Sequence, residues 1–147
     1  MSHNAFATAT LPDHYTLVSK MEIDPLEIIA LRESVNWKSD TAERWWQCID
    51  QSLAVIGVRD AAGALVGMAC LTGNVRHAVI CDLAVSPNHH RRGIGAAIMN
   101  ELLKTVHDHG VLYVYAELAK TNPFREQMIQ SGFLQTGDSL FLDATAV

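Results

Sequence analysis

The sequence has few cysteines, little positive charge and no long apolar run. Its three cysteines, Cys48, Cys70 and Cys81, occur without Cys-x-x-Cys spacing and in apolar surroundings. That pattern predicts reduced core thiols in a cytoplasmic protein. No uncharged apolar run reaches about 18 residues, and no basic-then-apolar leader opens the chain, so a soluble, non-exported protein without a membrane partner is expected. Lys and Arg number 11 against 16 Asp and Glu, a net charge of −5. This balance argues against a general nucleic-acid surface and against binding to anionic membranes. An acidic remainder favours cationic partners such as amines. Seven histidines are present. His89-His90 and His107-x-His109 nevertheless lack a carboxylate or cysteine at ligand spacing, so no metal site is predicted.

A length of 147 residues and a hydrophobic fraction of 49% fit one domain with an ordinary core. Residues 1–12 show no period and read as a flexible tail, leaving 13–147 as the domain. Residues 15–23 alternate as a first strand. Asp24-Pro25 caps a helix over 25–35, and Ser39 or Asp40 caps a second that runs to residue 51. Strands are predicted over 53–59, 64–72 and 76–86, with Asp60-Ala61-Ala62-Gly63 as a turn. A long helix spans 92–109 and stops at Gly110. Residues 111–118 form a strand, 122–131 a short helix and 133–142 a last strand. The order β-α-α-β-β-β-α-β-α-β predicts an α/β (α+β) protein with a mixed central sheet flanked by helices.

The densest information lies between Ala78 and Ala97. Ala78 to Val85 is apolar apart from Asp82, and Ser86-Pro87-Asn88 stops the strand. Beyond it, Ile94, Ile98, Leu102 and Val106 recur every four residues and make one helical face. Gly93 and Gly95 therefore fall at a helix N-terminus, where unpaired N–H groups and the helix dipole favour an anion. Glycines permit close approach of a phosphate to the main chain, and Arg91 and Arg92 add charge. The loop suits a pyrophosphate. It lacks the Gly-Lys-Ser/Thr ending of nucleoside triphosphatases, since Ala96-Ala97 follow Gly95. It also lacks the third glycine of the dinucleotide fingerprint, whose position is Ile98.

The stretch His90-Arg91-Arg92-Gly93-Ile94-Gly95 resembles the acetyl-coenzyme A loop of the GNAT (Gcn5-related) N-acetyltransferases, Gln/Arg-x-x-Gly-x-Gly/Ala, with His90 at the first position. Asn122 to Phe133 resembles the late helix of that family, which ends in Gly-Phe. Val55 to Leu71 resembles its central hairpin, and Ser34-Val35-Asn36-Trp37 the entry to its second helix. The resemblance implies the acyl-CoA N-acyltransferase (GNAT) fold, with acetyl-coenzyme A as cofactor and the amine of a small molecule or peptide as acceptor. Family members often dimerise, so a homodimer is compatible with it.

The resemblance also implies roles for particular residues. The backbone amide of Leu83 would polarise the thioester, and Leu83, Ala84 and Val85 would pair with the pantetheine arm. His90, Arg91, Arg92, Gly93, Ile94, Gly95 and Ala96 would hold the pyrophosphate, and Asn122 would touch the pantetheine or cap its helix. Family bases sit two or four residues before Leu83, where this chain has Cys81 and Val79. Asp82 should point to the opposite face from Cys81 and serve as a paired structural carboxylate. Glu117 becomes the candidate base. The usual tyrosine acid is replaced by Met128. Trp37 and Cys81 are candidates for the acceptor wall, and one of Trp45 and Trp46 should be core. These replacements leave a second reading, an acyl-coenzyme A-binding sensory or regulatory module with little turnover.

Overall fold

The computed structural model describes residues 5–7, 9–38, 40–116, 118, 122, 124–136 and 139–144. The elements in chain order are β1 (Thr16–Ser19), α1 (Pro25–Ser34), α2 (Ala42–Gln51), β2 (Ala54–Arg59), β3 (Leu65–Gly73) and β4 (His77–Val85). After these come α3 (Ile94–His109), β5 (Tyr113–Ala116), α4 (Phe124–Gln130), β6 (Leu134–Thr136) and β7 (Ser139–Asp143). One seven-stranded sheet has the order β1-β2-β3-β4-β5-β7-β6. Every pairing is antiparallel except β4–β5, which is parallel because α3 crosses over between them.

Local chemistry sets the helix ends. Asp24 accepts from Leu26 N at 2.8 Å, and Glu27 accepts from Asp24 N at 3.1 Å, a capping box with Pro25 in the first turn. Glu27 also pairs with Arg59 of β2 and so ties α1 to the sheet. For α2 the cap is Thr41, whose Oγ1 accepts from Arg44 N at 3.2 Å. Asp40, expected as the cap, instead accepts from Thr41 N; Ser39 lies outside the described residues. Gly110 closes α3 with φ +67°, a left-handed conformation suited to glycine.

Two cores sandwich the sheet. On one face α3 buries Ile94, Ile98, Leu102 and Val106 against Val58, Leu71, Ile80, Leu83 and Val114. The other face packs Ile28 and Leu31 of α1, and Trp45 and Ile49 of α2, onto Met68, Cys70 and Ala84.

Two expectations need correction. The first strand ends at Ser19, and Lys20–Glu22 form a 3-10 turn instead of extending it. The predicted last strand is two strands, β6 and β7, paired antiparallel from Leu134↔Phe141 to Thr136↔Ser139. Near the N-terminus, Phe6 is 1% exposed and meets Phe124 edge to face, with ring centroids 6.0 Å apart. Burying one ring is worth about 1.5–3 kcal/mol, which offsets the backbone ordering of about one or two residues.

Candidate functional site

The site begins where β4 and β5 part. Their register runs only from His77↔Tyr113 to Ile80↔Ala116, while β4 continues to Val85. Beyond Ile80 the β5-facing edge of β4 has no strand partner among the described residues. Such an edge presents N–H and C=O groups to any extended ligand.

A bulge shapes the same stretch on its β3 side. Met68 pairs with Ala84 and Cys70 with Cys81, so two steps on β3 face three on β4. Asp82 is the extra residue, with φ +59°. The bulge breaks strict alternation. Leu83 joins the α3 core and Ala84 the α1–α2 core. Asp82 reaches α1, where Arg32 Nη1 donates to its Oδ1 at 2.7 Å. The expectation that Asp82 and Cys81 lie on opposite faces is therefore corrected, while the predicted pairing of Asp82 is present. Arg32 is held further by donation from Nε to Lys38 O at 2.7 Å. Its guanidinium carbon lies 5.2 Å from the ring centroids of both Trp37 and Trp45, a cation between two aromatic planes.

After Val85 the chain makes a 3-10 turn over Pro87–His89 and enters the glycine loop. His90 Nε2 donates to Val85 O at 2.7 Å, bracing the loop on the strand end. Arg91 has φ +64° and Gly93 φ +77°, so two positions of the loop adopt left-handed backbone. Gly93 is the N-cap of α3 and offers no side-chain acceptor to the first turn. The free N–H groups there remain available to a ligand. Gly95 faces Phe124: a Cβ at 95 would stand 2.5 Å from two of its ring carbons.

One cavity of about 550 Å³ joins these parts. Its walls include His90, Arg91, Gly93, Ile94 and Gly95 at the loop, and Leu83, Ala84 and Val85 along the unpaired strand. Asn122 and Phe124 close one side, and Val35 and Trp37 lie at the α1–α2 end. Asn122 Oδ1 accepts from Phe124 N at 2.9 Å and so caps α4. Arg92, Ala96 and Cys81 do not line this cavity. Arg92 Nη1 instead donates to the Tyr15 hydroxyl at 2.7 Å. Ala96 packs against the α3 core, and Cys81 sits with the α1–α2 core. Glu117 lies outside the described residues.

Val35 and Phe124 line the cavity without having been singled out in the sequence, and His89, weighed there only as a metal ligand, lines it too. Val35 had a signal, its place beside Trp37; Phe124 had only its place next to Pro123. Met128 is fully buried, and of the two adjacent tryptophans Trp45 is core at 8% exposure and Trp46 is open at 59%. Among the described residues, no group of three or more His, Cys, Asp or Glu could hold a metal ion, and no helix is long and apolar enough to cross a membrane.

The sulfur chemistry is concentrated on the α1–α2 face. A hydrogen bond from Cys70 pulls the Cys48 thiol down to about 6, against the opposing effect of burial. The same bond, together with burial, holds Cys70 well above the ordinary thiol range. Cys81 is the register partner of Cys70 across β3 and β4.

Known proteins share this architecture. The family model described as "Acetyltransferase (GNAT) family" matches residues 20–133. An uncharacterised N-acetyltransferase, ycf52-like, of Prochlorococcus marinus is 31% identical over 105 residues. That match covers 67% of this chain and 58% of the relative, so the chain spans less than two thirds of the relative's length. The ribosomal-protein-S18-alanine N-acetyltransferase of Escherichia coli superposes with a TM-score of 0.71 at 16% identity, covering 86% of this chain and 90% of that one. The N-acetylglutamate synthase of Neisseria gonorrhoeae, solved with coenzyme A and L-arginine, gives 0.69 at 17% identity, over 90% of this chain and 34% of that one.

A mixed sheet with a parted central pair and a glycine loop opening the crossover helix is the fold these acetyltransferase structures share. The chain belongs to the acetyltransferase (GNAT) family. Members of that family use acetyl-coenzyme A.

Proposed function

We propose that the chain is an N-acetyltransferase that moves the acetyl group of acetyl-coenzyme A to a primary amine of a small molecule or peptide, by direct attack in a ternary complex. One observation carries the reading: a single cavity runs from the glycine loop along the unpaired edge of β4 to Trp37.

The residues fit the coenzyme. Left-handed backbone at Arg91 and Gly93 and the uncapped start of α3 supply a cradle of N–H groups for a pyrophosphate. His90, Ile94, Gly95 and Ala96 complete that loop, and Arg92 adds charge beside it. Leu83, Ala84 and Val85 offer main-chain groups to the pantetheine arm, with Asn122 across from them. When bound, acetyl-coenzyme A supplies the activated thioester and a thiol leaving group.

The amide of Leu83 is the proposed donor to the thioester oxygen as charge builds on it. Acceptors would enter past Trp37, with Cys81 and Val79 on the same side. No carboxylate lines the cavity among the described residues. Glu117, which follows Ala116 at the end of β5, is the proposed base, acting directly or through water. The amine is otherwise selected already neutral, so turnover should rise with pH toward the acceptor's own pKa. We place the protein in the cytoplasm and take a homodimer as the assembly to test by light scattering.

Val79, Cys81 and Met128, at the positions of the family's base and acid, also favour a second reading, an acyl-coenzyme A-binding module with little turnover. A screen of amines and peptides with free-thiol detection separates the two. Thiol release above thioester hydrolysis with any acceptor supports the enzyme. Tight coenzyme binding without acceptor-dependent release supports the module.

A further inference from the structure

We infer that Tyr15 is a positioning residue for the coenzyme loop, holding it from outside at His89 and Arg92. The inference rests on the coenzyme reading proposed above and assigns a role to residues outside the family loop. Tyr15 immediately precedes β1, far along the sheet from β5. Its hydroxyl accepts from Arg92 Nη1 at 2.7 Å and lies 2.7 Å from His89 Nδ1. The Tyr15 and His89 rings meet edge to face, 5.7 Å apart at 89°.

Guanidinium only donates, so the Tyr15 oxygen accepts from Arg92. The same hydroxyl is hydrogen-bonded to His89 Nδ1. On the other side of the ring, His89 Nε2 lies 3.9 Å from Asp60 Oδ2. That distance exceeds a hydrogen bond and makes the contact electrostatic. Asp60 is itself fixed in the β2–β3 turn, its Oδ1 accepting from Ala62 N at 3.0 Å and Ala64 N at 2.9 Å. Tyr15 thus joins Arg92 to His89, and His89 faces an anchored carboxylate.

Arg91 explains why a brace is needed. It lies between the two held residues, lines the cavity and adopts φ +64°. A non-glycine residue in left-handed backbone persists only where its surroundings over-determine it. His89 and Arg92 flank it, and Tyr15 grips both, so the loop is ordered before a ligand arrives. Preorganisation of this kind appears as affinity, because the bound conformation need not be selected on binding.

The test is calorimetric titration of coenzyme A into the wild-type protein, Tyr15→Phe, Arg92→Ala, the double variant and His89→Leu, with unfolding curves to confirm that each folds. Tyr15→Phe keeps the ring and should lower coenzyme affinity about two- to tenfold, the range of one net hydrogen bond. His89→Leu should act in the same direction. The double variant should lose less than the product of the two single losses, because both act through one contact. In steady state the effect should fall on the KM for acetyl-coenzyme A, not on kcat. A folded Tyr15→Phe protein with wild-type affinity, multiplicative losses in the double variant, or a fall in kcat at unchanged KM overturns this inference alone. A wild-type protein that does not bind coenzyme A overturns the coenzyme reading and this inference with it.

Discussion

Arg32 of α1 donates to Asp82, the extra residue of the β4 bulge, at 2.7 Å. The side chains are 15% and 26% exposed, so the pair is largely shielded from solvent screening. The contact locks α1, and with it Trp37, against the strand that carries Leu83. Asp82→Asn keeps a residue tolerant of left-handed backbone while removing the charge. It should destabilise the protein by about 1–3 kcal/mol, the cost of leaving Arg32 with a weaker partner. Asp82→Ala should cost more, since it also strains the bulge. Chemical denaturation checks both, and a fully stable Asp82→Asn protein would show that the pair is incidental.

Gly95 and Phe124 give a second prediction. An alanine at 95 must push a ring that also packs against Phe6. Gly95→Ala should destabilise the fold by about 1–3 kcal/mol, as overpacking does, and weaken coenzyme A binding. Adding Phe124→Leu should recover part of the stability. Thermal unfolding and calorimetry of the two proteins test this; an unaltered Gly95→Ala protein contradicts it.

The glycine loop and its helix were legible because their signals are local: a β-branched run, a Ser-Pro stop, two glycines and a four-residue apolar period. The bulge was not, because it depends on how β4 pairs with β3. Alternation alone sent Asp82 to the wrong face. The packing of Phe6 on Phe124 was not legible because the two lie far apart along the chain. The Tyr15–His89 contact likewise spans 74 residues and leaves no trace in either segment. Capping misled by one residue, since Asp40 and Thr41 are both competent caps and only the helix geometry chose Thr41.

Cys48 carries a pH prediction. Its thiol, partly exposed on α2, is drawn down to about 6 by the Cys70 hydrogen bond. A lowered pKa puts the thiolate in the majority at neutral pH, whereas an ordinary thiol ionises near about 8.5. Alkylation of Cys48 by iodoacetamide should therefore rise through pH about 6 and be level by about pH 8. Cys70→Ala should move that inflection upward. Peptide mass spectrometry across pH reads the rate at each cysteine, and an inflection near about 8.5 in the wild type would remove the proposed hydrogen bond from Cys70.

The loop's backbone gives the simplest loss-of-binding variant. Gly93 has φ +77°, which a β-branched residue rarely adopts. Gly93→Val should abolish measurable coenzyme A binding by calorimetry and cancel the rise in Tm that the coenzyme gives the wild type by mass action. Unchanged affinity in Gly93→Val would take the coenzyme away from this loop.

Direct transfer is tested by following the acetyl group itself. Acetyl-coenzyme A carrying an isotopically labelled acetyl group is mixed with the protein, with and without an amine acceptor that supports thiol release. Intact-protein and small-molecule mass spectrometry then locate the label. The account predicts label on the amine whenever acceptor is present and none on the protein in its absence, with both unchanged in Cys81→Ala. Label on Cys81 or Cys48 before acceptor is added, followed by its passage to the amine, would contradict attack in a ternary complex and establish an acyl-cysteine route.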